Sequence, residues 1–225
     1  MYDLFYIRHR LHKRAYQHRV NKVIEHMIAE AFLKADGHIE IEGSGGRMFT
    51  LSTAFKNMEA YTKLTDNVFE QILKSSRPEL QEAREILQNI VSRKIYKFVG
   101  ERKPKTIKDW KSQITGWKEV LAQPLPDEEE NNLKPEDVEI LVINMDYGMK
   151  DENPVGHMHF YSKKEPDVAK PMSPENASRI RTMIFSEQLI RVFCKKIDEQ
   201  SVEAARQQFE QWLRMEPNLV GPEGN

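Results

Sequence analysis

Cysteine is nearly absent: Cys194 stands alone among 225 residues, so no internal disulfide can form and a reducing compartment is the natural home. Long apolar runs are missing too. None approaches the ~18 residues of a membrane span and no signal peptide opens the chain, so no membrane partner is expected. Charge imbalance is small. A net charge of −1 creates no global field for a polyanion, and any electrostatic function must come from local patches. No Gly-x-Ser-x-Gly, no Cys-x-x-Cys pair, no His-Asp dipeptide and no repeat period occurs.

What is present in quantity is charge, 31% of residues against roughly 25% in an average soluble domain. It is unevenly spread. From Leu4 to Ile24 there is no acid, while Arg8, Arg10, Lys13, Arg14, Arg19 and Lys22 are interleaved with His9, His12 and His18. Cations near a helix N-terminus oppose the macrodipole, so this run calls for a balancing polyanion or a helix that begins further upstream. Arg presents a fork to phosphate oxygens and Lys a point charge, and Tyr16 with Gln17 adds an aromatic edge and an amide suited to sugar or base. A solvated basic face is the plain alternative. Arg93 and Lys97, four apart at the end of an expected helix, read either as dipole capping or as a phosphate clamp.

Other signals point to structure. Gly43-Ser44-Gly45-Gly46 lacks the strand–loop–helix and Lys-Ser/Thr of a phosphate loop, and reads as a hairpin turn. His157 and His159, two apart on an expected strand, share a face, but no third metal ligand accompanies them. Trp110, Trp117 and Trp212 read as core or interface, and Cys194 as a small buried residue.

Periodicity predicts an α+β fold: a mostly helical first half with a β-hairpin, then a small α+β lobe with a mostly antiparallel sheet. Helices are expected over Tyr2–Arg14, Val20–Ala35, Ala54–Leu64, Asn67–Ser75, Pro78 to about Lys97, and Ile107–Leu121. A hairpin joins His38–Glu42 to Arg47–Leu51. Strands follow at Val138–Met145, His157–Ser162 and Leu189–Lys195, then a helix from about Ser201. By texture the chain divides at residues 1–100, a variable linker and helix with an acidic loop at 101–136, a lobe at 137–215, and a tail at 216–225 expected to be disordered.

Several long, colinear words then carry a resemblance. Leu11-His12-Lys13-Arg14-Ala15-Tyr16-Gln17-His18-Arg19-Val20, Ala31-Phe32-Leu33-Lys34-Ala35-Asp36 and Met58-Glu59-Ala60-Tyr61-Thr62-Lys63-Leu64-Thr65-Asp66-Asn67 resemble segments of the animal SAM-and-HD-domain deoxynucleotide triphosphohydrolases. Val142-Ile143-Asn144-Met145-Asp146-Tyr147-Gly148-Met149, Glu187-Gln188-Leu189-Ile190-Arg191-Val192 and Ala204-Ala205-Arg206 continue it, and residues 101–134 depart most freely.

The resemblance implies the end of an HD domain plus a C-terminal lobe. In that family a divalent metal (Zn, Fe or Mg) held by His and Asp supports cleavage of a dNTP to deoxynucleoside and triphosphate. Those ligands are expected upstream of Met1, so no catalytic residue, metal site or bound cofactor is expected here. It implies that Arg8, His12, Tyr16 and Gln17 line the substrate pocket. His18, Arg19, Val20 and Lys163 would serve an allosteric dNTP site, and Arg93 with Lys97 a GTP activator site. Arg19 stands where the family has Lys, and Ser162 where its best-known member has Cys. A homotetramer, a nuclear location and a part in antiviral defence are implied as well. A different class also fits the basic run: a non-catalytic fragment that binds single-stranded nucleic acid.

Overall fold

The structure is a computed structural model that describes residues 2–104, 107–124, 133–171 and 184–215. It is α+β, with antiparallel sheets, and no helix of the described residues is long and apolar enough to cross a membrane. Packing forms two compact units, Val20–Ile95 and Met1–Arg19 with Tyr96–Asn225. Packing thus separates the chain after Arg19 and after Ile95, where texture suggested 100 and 136. The expected acidic loop and tail lie largely or wholly outside the described residues.

In the unit of residues 20–95, α2 (Arg19–Ala35) buries Val23, Met27, Ala31 and Ala35 along the expected stripe. The hairpin forms as two short strands, β1 (Ile41–Glu42) and β2 (Met48–Phe49), with Ile41 opposite Phe49. Gly45 and Gly46 take φ of 72° and 73° in its turn, a region that favours glycine. Next come α3 (Met58–Lys63), capped by the Asn57 side chain, α4 (Asn67–Lys74) and α5 (Gln81–Val91). Ala31, Ala35, Ile39, Val68, Ile72 and Leu87 anchor the core.

One expectation fails here. The helix after Pro78 does not reach Lys97, because α5 stops at Val91. Arg93 turns left-handed (φ 62°), its N–H returns to the Ile90 carbonyl at 3.1 Å, and the Lys94 N–H reaches Asn89 at 2.8 Å. That is a Schellman closure, which satisfies the last carbonyls and ends the helix.

The other unit opens with α1 (Tyr2–Leu11), closed by a π-helical turn over His12–Tyr16 rather than the expected run to Arg14. Its sheet has order β3-β7-β4, antiparallel throughout: β3 (Lys97–Arg102), β4 (Val138–Asp146) and β7 (Ser186–Cys194). A separate hairpin pairs β5 (His159–Ser162) with β6 (Glu165–Pro171). Two helices, α6 (Trp110–Leu121) and α7 (Glu199–Met215), complete the unit.

Alternation sorts the sheet into two faces. Ile190, Val192 and Cys194, with Val138 and Ile140, join Trp117, Leu121, Phe209 and Trp212 of α6 and α7 in one core. Trp117 and Trp212 meet edge to face, ring centres 5.6 Å apart. Each large side chain fully buried in this way contributes about 1.5–3 kcal/mol. Glu187, Leu189, Arg191 and Phe193 occupy the opposite face of β7.

Register on β3 depends on a bulge. Phe98 pairs with Phe193, but Gly100 rather than Val99 pairs with Val192, and the shift sets Glu101 opposite Arg191. Without it Glu101 would fall opposite Ile190, on the helix-covered face. Gly100 lies so close to α7 that a Cβ there would meet Phe209 Cε1 at 2.3 Å. Gly100→Ala should therefore lower the unfolding free energy by about 1–3 kcal/mol, through overpacking. Denaturant unfolding measures this, and an unchanged midpoint would mean that the Phe209 ring yields freely.

Candidate functional site

The acid-free run becomes two helices with a wide turn between them. At the π turn the Gln17 N–H donates to the His12 carbonyl at 2.8 Å, and the His18 N–H reaches Ala15 at 3.2 Å. Such turns occur often where side chains must be re-aimed for function.

Of the substrate-facing candidates, three gather at this turn. His12 and Tyr16 meet edge to face, centroids 5.5 Å apart, and Gln17 Nε2 lies 3.4 Å from His12 Nδ1. Gln17 Oε1 is buried and finds no hydrogen-bond partner among the described residues. Arg8 is exposed one turn earlier on α1, with a guanidinium nitrogen close to Gly148.

On the other side of the turn, Lys13, Arg14, His18, Arg19, Phe98, Glu101 and Arg191 line a cleft of about 370 Å³. Among the described residues that line it, Lys13, Arg14, Arg19 and Arg191 bring four basic side chains against the one carboxylate of Glu101. The Arg19 guanidinium lies over the Phe98 ring, 4.9 Å from its centroid, which orients it while leaving its donors available. Arg191 is only 8% exposed; its Nε donates to Glu101 at 2.9 Å and its Nη1 donates to the Gln17 carbonyl. A concave surface with this charge suits a compact polyanion.

Beside the cleft, Glu187 draws cations together. Its carboxylate receives Lys13 at 2.8 Å and Lys103 at 3.2 Å, and His9 Nε2 lies 3.3 Å away. Tyr147 packs against His9 and Phe5, with centroids 5.5 and 6.3 Å off.

The remaining candidates fall elsewhere. Val20 is half-buried at the start of α2, and Lys163 sits exposed in the β5–β6 turn, outside the cleft lining. Arg93 and Lys97 do not share a helical face, since one follows the end of α5 and the other opens β3. His157 closes a 3-10 turn and pairs with Glu152 at 3.0 Å, so it does not share a strand with His159. Among the described residues no three His, Cys, Asp or Glu side chains gather to hold a metal ion.

Phe98, Glu101, Lys103, Glu187 and Arg191 were not singled out by sequence reasoning. One signal was available: Arg191 and Glu187 sit in a strand that is otherwise apolar from Leu189 to Cys194 apart from Arg191 itself. A charge inside such a strand requires a partner.

No family model matches the chain. It is 51% identical over 224 residues to the deoxynucleoside triphosphate triphosphohydrolase SAMHD1 of Danio rerio, a match covering 99% of this chain and 36% of that protein. The protein of the same name from Bos taurus is 50% identical over 214 residues, covering 94% and 36%. That from Gallus gallus is 49% identical over 215 residues, covering 94% and 35%. The chain thus spans about a third of the length of the curated relatives it matches.

The Glu187 cluster has a pH signature. Burial pushes the His9 pKa below its ordinary 6.5, with Lys13, His12 and Lys103 adding repulsion against the pull of Glu187. Burial alone would raise Glu187, but hydrogen bonds and charge from Lys13 and Lys103 outweigh it and hold the group below 4.5. Both groups bind protons more readily in the unfolded chain, so their stabilisation is complete above pH 6.5 and lost as pH falls. His9 loses its share first, and Glu187 loses its own below 4.5. Melting temperature followed from pH 8 to pH 3 should decline in that order. Glu187→Gln should be less stable at neutral pH and show a flatter acid limb; an unaltered acid limb would sink this account.

Proposed function

Because the chain is similar over nearly all its length to the C-terminal portion of the SAMHD1 deoxynucleoside triphosphate triphosphohydrolases, we propose that it forms the nucleotide-handling part of such an enzyme. The reaction is cleavage of a dNTP to deoxynucleoside and inorganic triphosphate. Arg8 meets substrate phosphate, His12 the sugar–phosphate side, and Tyr16 and Gln17 the deoxyribose. An aromatic ring packed where a 2′-hydroxyl would sit rejects ribonucleotides by crowding, and the unpartnered Gln17 Oε1 supplies an acceptor for a sugar hydroxyl.

On the same reading His18, Arg19, Val20 and Lys163 hold an activating dNTP, Arg93 and Lys97 hold GTP, and the full enzyme assembles as a nuclear homotetramer. Arg93 and Lys97 act here as separate cations and not as a helical pair. In the enzymes this chain resembles, a bound divalent metal would polarise the phosphate and activate the attacking water. The chain's own residues bind and orient: the cleft cations neutralise triphosphate, and the π turn sets the substrate-facing side chains a few residues away.

The observation that carries this reading is the cleft of four cations around one carboxylate. Titration of the 225-residue chain with inorganic triphosphate and with dGTP, followed by calorimetry, tests it. Arg19→Glu should weaken binding by at least 10–150-fold, the equivalent of about 1.5–3 kcal/mol for one charge-assisted contact. Equal affinity in wild type and variant would remove the cleft from nucleotide binding. Preference for a single-stranded oligonucleotide over triphosphate would favour the nucleic-acid reading instead.

A further inference from the structure

We infer that Glu101 is a built-in stand-in for the polyphosphate, and that Arg191 is the positioning residue it keeps in place for that ligand. The inference rests on the reading of the cleft as a triphosphate site.

Arg191 cannot easily move. It lies on the central strand of the sheet, its side chain is 8% exposed, and its Nη1 is engaged by the Gln17 carbonyl at the close of the π turn. A guanidinium so deeply placed needs an anion beside it, since an uncompensated buried charge is strongly destabilising. Among the described residues Glu101 is the only carboxylate lining the cleft, and it meets Arg191 Nε at 2.9 Å.

The two partners are unequal. Glu101 stands on β3, an edge strand, and its side chain is 46% exposed, so it can swing into solvent while Arg191 stays. A triphosphate entering between Lys13, Arg14, Arg19 and Arg191 meets Glu101 as a like charge on the cleft wall. The ligand replaces the carboxylate on the guanidinium, Glu101 turns outward, and Arg191 exchanges one anion for another without leaving the Gln17 carbonyl. Glu101 thereby holds Arg191 ready in the absence of ligand and weakens binding by competing with it. A weak, bulk-concentration anion does not displace an intramolecular carboxylate; a polyanion that also engages Lys13, Arg14 and Arg19 does. The pair so selects for several linked phosphates over one.

The experiment uses the 225-residue chain, inorganic triphosphate and inorganic phosphate as probes, and calorimetry together with melting temperature. Glu101→Gln removes the competing charge but keeps the shape. It is expected to bind triphosphate about tenfold more tightly, bind monophosphate detectably, and melt at a lower temperature without ligand. Glu101→Asp should resemble wild type. Arg191→Lys, which keeps the charge but loses the fork, should weaken triphosphate binding in the wild-type and the Glu101→Gln background alike. If wild type binds triphosphate and Glu101→Gln binds it equally or less well, the stand-in role is overturned while the cleft reading survives. If neither protein binds triphosphate, the cleft reading falls and this inference with it. A Glu101→Gln protein that only loses stability, with unaltered affinity, would show a purely structural ion pair.

Discussion

The contact between Gly100 and Phe209 fixes more of this molecule than its size suggests. The Phe209 ring of α7 fills the space a methyl on Gly100 would need, and beside this close approach β3 carries the bulge at Val99. The bulge advances the register by one residue. Side chains in a strand change face at every step, so this single residue carries Glu101 from the helix-covered face to the face of Arg191. From there a chain of contacts runs through the Arg191 guanidinium to the Gln17 carbonyl, and so to the turn between α1 and α2. One wall of the cleft thus depends on the register of β3.

The same sheet resolves the electrostatic problem posed by residues 4–24. No acid is available locally, and intrahelical pairs of the usual three-or-four spacing cannot form within the run until Lys22 reaches Glu25. Neutralisation is tertiary instead. Glu187 of β7 gathers Lys13, Lys103 and His9, while Glu101 of β3 faces the cleft through Arg191. The compensation is deliberately incomplete in its arrangement: Lys13 and Arg191 are tied to carboxylates, whereas Arg19 is steadied by a ring that offers no negative charge. Attraction for an incoming anion remains where the cation is held by a π face.

Much of the fold was legible in the sequence, because burial on one face writes a period. The stripe from Val23 to Ala35, the glycine turn at 43–46, the strands at 138–146 and 186–194 and the helix carrying Phe209 and Trp212 all left that mark. Two strands did not. β6 is exposed along its whole length and has no alternation to show, and β3 fell between a helix expected to about Lys97 and a basic link expected from Glu101, so no strand was expected there. The end of α5 depends on a non-glycine residue in the left-handed region, which no glycine or proline announces. The basic run was visible as composition. Its counter-ions were not, since Glu101 and Glu187 reach it only through pairing across 90 residues or more.

The π turn decides which side chains of one short segment stand together. In a continuous helix His12, Tyr16 and Arg19 would lie close to one face, since they are spaced four and three apart. Inserting the wide turn and the break at Gln17 rotates Arg19 away from His12 and Tyr16, which remain edge to face with each other. Gln17 stands between Tyr16 and Arg19, its side chain against His12 and its carbonyl held by Arg191. The carboxylate that Arg191 holds is therefore linked through one guanidinium to the backbone of Gln17. If the cleft holds an anion as proposed, a change in how that guanidinium is held would reach Gln17 through a direct hydrogen bond, and by thermodynamic reciprocity the coupling would run equally in both directions.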